Sequence, residues 1–110
     1  MQSRAQWQVE RCPRWCAGGH RDDDHPDDRV HRSASLSVPV VARRTWFEGA
    51  GIRRMAESCE LEVALSRVDG DSQTWLYVGG GPGAAIEVTA ESGHRLVQAM
   101  VEALDRPRSR

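Results

Sequence analysis

The residues most suited to chemistry are gathered near the start of the chain. The run Cys12-Pro13-Arg14-Trp15-Cys16-Ala17-Gly18-Gly19-His20 is followed by His25 and His31. Thiolate and imidazole are the preferred ligands of zinc, which takes four of them in a tetrahedron when its role is structural. Cys12, Cys16, His20 and His31 make such a Cys₂His₂ set, with His25 as a reserve ligand.

Spacing sets conditions on that site. Pro13 suits the first position of a helical turn, so Cys12 can cap the turn with Cys16 one turn on. The two sulfurs would then lie about 6 Å apart along the axis, on one side. His20 cannot continue the same helix, because it would stand about 12 Å from Cys12. Gly18-Gly19 lets the chain reverse and bring His20 back. His31 must return across a loop holding Asp22, Asp23, Asp24, Asp27 and Asp28. Those carboxylates lack the ligand spacing and glycine of an EF-hand. They read as a solvated acidic loop, some of whose members orient the histidines if zinc is bound. Two other readings stay open for the run: a leader with unliganded Cys and His, and a reversible Cys12–Cys16 disulfide.

No catalytic arrangement accompanies these ligands. No general base stands beside the candidate metal, and no Ser/His/Asp or Cys/His spacing supports nucleophilic chemistry. All 15 basic residues are arginine, so a Walker-type phosphate loop, a Schiff-base lysine and a pyridoxal phosphate anchor are excluded. Gly79–Gly83 neither opens a helix nor precedes a lysine, and reads as a loop between strands. The chain reads as non-enzymatic.

The net charge of −1 creates no general attraction for nucleic acid or anionic lipid. One local patch stands against this. Arg43, Arg44, Arg53 and Arg54 flank Trp46 and Phe47, a mixture that can hold single strands by phosphate contact and stacking, although Glu48 and Glu57 dilute it. No apolar run approaches the length of a membrane span or of a signal peptide. Three cysteines, an odd number, do not suggest a secreted disulfide scaffold, and a reducing cytoplasm is the expected setting.

The elements that must position the ligands lie downstream. Residues 1–34 hold few large apolar groups and form a Cys/His/Asp-rich segment that hydrophobic burial alone cannot order. Residues 35–105 supply the core, and 106–110 an exposed, disordered tail. Leu36–Ala42 alternates as a strand, placed at a sheet edge by Pro39. Residues 43–57 read as a loop with a short helical turn near Ile52–Glu57. Cys59–Val68 is the clearest strand, with Cys59, Leu61, Val63 and Leu65 on the inner face and Cys59 a buried thiol. Asp69-Gly70 marks a turn, Gln73–Val78 the returning strand and Ala85–Val88 a further one. Thr89 caps a helix over Ala90–Leu104, whose Val97, Met100, Val101 and Leu104 form an apolar stripe expected to pack on Leu61, Val63 and Leu65. The predicted fold is α+β: a three- to four-stranded antiparallel sheet with the C-terminal helix on one face, preceded by the Cys/His-rich segment.

The opening Cys-Pro-x-Trp-Cys-x₃-His, a later His-x-Ser, then strands and a C-terminal amphipathic helix resemble a family of small actinobacterial proteins of unknown function. The resemblance spans roughly residues 7–105 and implies an intracellular setting and no established activity. It points to Cys12, Cys16, His20 and His31 as the distinctive residues. The expectation is therefore an accessory or protein-interaction module with a structural zinc ion and an unknown protein partner. The alternative is a small nucleic-acid-binding regulator that uses Arg43–Arg54.

Overall fold

In the computed structural model, residues 4–80 and 85–106 are described. A short 3-10 turn, Pro26–Asp28, precedes five strands and one helix. The strands are β1 (Val30–Arg32), β2 (Leu36–Glu48), β3 (Gly51–Val68), β4 (Trp75–Gly79) and β5 (Ile86–Thr89); the helix α1 is Ala90–Leu104. All pairings are antiparallel, in the order β1-β3-β4-β5, with β2 also on β3. The α+β class is as the sequence predicts. The additional short strand, β1, comes from the Cys/His-rich segment and carries His31.

The largest departure is the stretch read as a loop. Residues 43–57 are not a loop with a helical turn. They are the outer part of a long hairpin in which β2 runs to Glu48, Gly49-Ala50 turn, and β3 begins at Gly51. Gly49 takes the positive φ of +63° that so tight a turn needs. The arginines and aromatics that suggested a loop are compatible with a solvated ribbon, whose pairing comes from the backbone; Arg44 faces Met55, Thr45 faces Arg54 and Trp46 faces Arg53. Pro39 stands on β2, an edge strand, as its missing N–H requires.

β4 pairs only with Glu62–Ser66 of β3, so β3 residues 51–61 have β2 alone beside them. The hairpin therefore projects as an arm. The radius of gyration is 18.6 Å, against about 13 Å for a compact chain of this length. Leu65 faces Leu76, Leu76 faces Val88, and Leu36 faces Val63, which sets the inner face of the sheet. Cys59, expected to be buried, is half-buried there.

Thr89 caps α1 as its residue type predicts: its Oγ1 accepts from Ser92 N at 3.1 Å. The helix follows β5 without a connecting residue. It consequently meets β4 and β5, with buried Gly93 against Leu76. The chain has no slack at Thr89 to carry the stripe across to β3. Val97, Met100, Val101 and Leu104 thus do not bury themselves on Leu61, Val63 and Leu65, and remain 52–82% exposed. Among the described residues no helix is long and apolar enough to cross a membrane. Most of the Gly79–Gly83 run and the tail beyond Arg106 lie outside the described residues.

Candidate metal centre

The four ligands reach one place by three local devices. Pro13 initiates a turn closed by Cys16 N donating to Pro13 O at 3.0 Å, so a β-turn, not a helical one, brings Cys16 back beside Cys12. Gly18 and Gly19 both hold positive φ, +80° and +78°, and reverse the chain toward His20. Cys16 bridges Ser33, and Ala17 N donates to Arg32 O at 2.8 Å, which docks the turn beside the strand bearing His31. That strand is fixed in turn by pairing with β3, His31 facing Arg67.

Ligand atoms of Cys12, Cys16, His20 and His31 all lie within 4.8 Å of one another. Cys16 Sγ and His20 Nε2 are 3.4 Å apart. Ligands of a tetrahedral zinc stand about 3.3–3.8 Å from each other, given bond lengths of about 2.0–2.3 Å, so this edge has the required length.

The supports of His31 are specific. Its side chain is fully buried and Nε2 lies 2.9 Å from Asp69 Oδ1, with Glu10 Oε1 at 3.4 Å. A carboxylate only accepts, so Nε2 donates. In the neutral ring that a metal ligand requires, the Nδ1 lone pair is then free. Nδ1 is buried and has no hydrogen-bond partner among the described residues. A buried ring nitrogen left without a protein partner, in a residue whose ring lies within reach of two sulfurs and a second imidazole, fits a metal ligand.

Glu10, His31 and Asp69 form a second close group. Its carboxylates already have other tasks. Asp69 Oδ2 accepts from Val9 N at 2.7 Å, and Glu10 accepts from Arg67 at 3.1 Å and from Gly70 N at 3.3 Å. They hold the imidazole and stitch the N-terminal segment to the β3–β4 turn.

His20 is enclosed between two rings. Trp7 and His31 each stand edge-on with centroids 5.1 Å away. The Trp7 indole N–H donates to Arg21 O at 2.6 Å, which holds the wall in place. Burial, helped by the neighbouring His31, lowers the His20 imidazole below its ordinary 6.5 and favours the neutral ring. Cys12 is open to solvent as a residue, yet its sulfur loses water to its neighbours. That desolvation, with Cys16 alongside, raises the thiol above its ordinary 9.0. A bound cation would reverse this, because it stabilises thiolate directly.

Other expectations meet a different outcome. His25 is not in the cluster; its Nδ1 accepts from Asp27 N at 3.1 Å and caps the short Pro26–Asp28 turn. Among the described residues, the acidic loop holds His25 through Asp27 but makes no hydrogen bond to His20 or His31. Asp22 accepts from Gln6 N, Asp24 from Arg21 N, and Asp23 pairs with the Arg21 side chain. The orienting carboxylates are Asp69 and Glu10, and Trp7 walls the site; reading residues singly identifies none of them. The one available signal is Asp69-Gly70, which marks a turn and so a place where the chain can return.

A family model described as a domain of unknown function (DUF6907) matches residues 2–110, nearly the whole chain. The chain belongs to this family. No curated protein and no solved structure matches it. In this DUF6907 chain the metal-type cluster is therefore defined by its own geometry.

Proposed function

We propose that this chain is a non-catalytic accessory or protein-interaction module whose N-terminal segment is stapled by one structural zinc ion on Cys12, Cys16, His20 and His31. The observation that carries the reading is the buried His31: Nε2 is held by Asp69, Nδ1 is left without a partner, and a ring nitrogen lies within 4.8 Å of the ligand atoms of Cys12, Cys16 and His20. Two sulfurs and two imidazoles suit zinc over magnesium or calcium, which take oxygen ligands.

Four protein ligands fill a zinc tetrahedron and leave no position for a substrate or an activated water. Glu10 and Asp69 are engaged by Arg67, Val9 and His31, so neither is free to act as general base. On this reading both points favour scaffolding over catalysis. The thiolate ligands and the odd cysteine count favour a reducing cytoplasm, and the arginine-only basic set favours the GC-rich genome of an actinobacterium. Elemental analysis of untagged protein tests the reading: about one zinc per chain supports it, and a metal-free protein that takes up none when reduced contradicts it.

Nucleic-acid binding by Arg43–Arg54 stands second. The observation in its favour is that these arginines stand on a projecting hairpin rather than a loop. Against it, Arg44 lies near Glu57 and Arg53 near Glu48, each at 3.9 Å, and Arg44 also stacks on Trp46 at 5.9 Å. Salt-dependent binding that disappears with the four arginines replaced by alanine would promote this reading.

A further inference from the structure

Among the described residues, two surfaces are left apolar without cover. One is the α1 stripe, where Val97, Met100 and Val101 are each more than half exposed. The other is the arm. Val38, Trp46 and Met55 are 38–46% exposed. By register they share the sheet face that carries α1 further down: Val38 faces Leu61, Met55 faces Arg44, and Trp46 faces Arg53. Of the described hydrophobic residues, only Ala5 is classed as buried. A chain of 12.3 kDa that packed its own core would expose about 6,100 Å². This chain exposes 8948 Å². Over the whole chain, residues outside the described ones included, the excess is roughly 2,800 Å², an upper bound on what a partner could cover; each subunit of an obligate homodimer buries about 1,000–2,500 Å².

The two surfaces cannot meet within one chain. α1 lies over β4 and β5, while β4 stops pairing with β3 at Glu62 and the arm extends beyond that point. They do suit each other between chains. Residues 42–57 carry Arg43, Arg44, Arg53 and Arg54 against Glu48 and Glu57. The end of α1 carries Glu102, with Asp105 at its C-cap and Arg106 directly after, against an arm of four arginines and two glutamates. A two-fold pairing would use each surface twice, apolar on apolar with arginine facing acid at the rim.

We propose that the protein is a homodimer in which the β2–β3 arm of each copy lies along the α1 stripe of the other, Val38, Trp46 and Met55 covering Val97, Met100 and Val101. The occupant is a second copy because the same chain supplies both halves of the contact. This does not depend on zinc.

Sedimentation equilibrium of the full chain across micromolar to submillimolar concentrations tests it. The parent is expected to be a dimer throughout. Met100→Arg places a charge among apolar groups and opposite the arm's arginines, and should raise the dimer Kd by about 100-fold or more, whereas Met100→Leu should leave it unchanged. A second variant avoids altering the helix: residues 43–56 are replaced by a two-residue turn joining Ala42 to Glu57. It should be monomeric, with the parent's helical circular dichroism and metal content. A parent that is monomeric across the range overturns the proposal, as does a dimer that survives both Met100→Arg and arm removal. A monomeric parent whose arm binds labelled DNA in a salt-dependent manner overturns it in favour of a nucleic-acid arm.

Discussion

His31 Nε2 donates to Asp69 Oδ1 at 2.9 Å across 38 residues of sequence, and Asp69 uses its other oxygen to accept from Val9 N at 2.7 Å. One buried carboxylate thus joins β1, the β3–β4 turn and the N-terminal segment. It also selects the nitrogen of His31 that remains for a metal. Position and ligand chemistry are set by the same contact, which is why Asp69 governs the first prediction.

Asp69→Asn should keep the fold and weaken metal binding. The amide retains the size of the side chain but loses the charge that makes the imidazole a better ligand. Supporting carboxylates of this kind are typically worth about 10–100-fold in affinity. Competition with a chromophoric chelator reads the change directly. An unchanged affinity would show that Asp69 serves only the backbone of Val9.

Fold and site were legible in the sequence to different depths. α1 was readable to the residue, because Thr89 is a capping type and the stripe follows helical spacing. β3 from Cys59 onward was readable because Leu61, Val63 and Leu65 alternate with polar residues. The outer hairpin was not, since Arg43, Arg44, Arg53 and Arg54 mask the period of two on a ribbon that is exposed on both faces. The four candidate ligands were visible as residue types, and Gly18-Gly19 as the means of reversal. Asp69, Glu10 and Trp7 were not, because their roles come from contacts with distant parts of the chain. The failure of the α1 stripe to reach Leu61, Val63 and Leu65 was hidden for a similar reason: periodicity identifies an apolar face but not what covers it.

The turn that carries Asp69 should be sensitive to its glycine. Gly70 has φ +83°, and a Cβ there would stand 2.7 Å from Val9 Cγ2. Gly70→Ala should destabilise by about 1–2 kcal/mol from the backbone conformation alone, and more from the contact. Gly49→Ala is the control: φ is +63° but nothing lies within 4 Å of the added carbon. Urea unfolding of both variants separates the two effects. Equal losses would mean that Val9 yields freely.

Thr89→Ala removes the acceptor for Ser92 N and should cost about 1 kcal/mol. Metal content should be unchanged, since Thr89 belongs to the β5–α1 junction and His31 to β1, at the other end of the strand order. Thermal unfolding with parallel metal analysis checks both parts. Loss of metal in a folded Thr89→Ala protein would mean that the helix and the centre form one cooperative unit.

Chelation should loosen the chain unevenly. Residues 5–29 depend on turns, side-chain contacts and the candidate ligand cluster, whereas β1, β3, β4, β5 and α1 are joined by backbone ladders and the Gly93–Leu76 contact. Hydrogen exchange should therefore speed up over residues 5–29 and change little over residues 62–68, 75–79 and 90–104. Uniform acceleration would show that the metal holds the whole fold.

The central claim is a zinc ion on four named side chains, and the most direct measurement is the metal content of untagged, reduced protein, with Cys16→Ser and His31→Ala alongside it. The parent should hold about one zinc per chain, and each variant should lose most of it, because three ligands bind far more weakly than a closed set of four. A parent without metal that also takes up none on addition would contradict the account. Full zinc in Cys16→Ser or His31→Ala would show that the ion is held elsewhere.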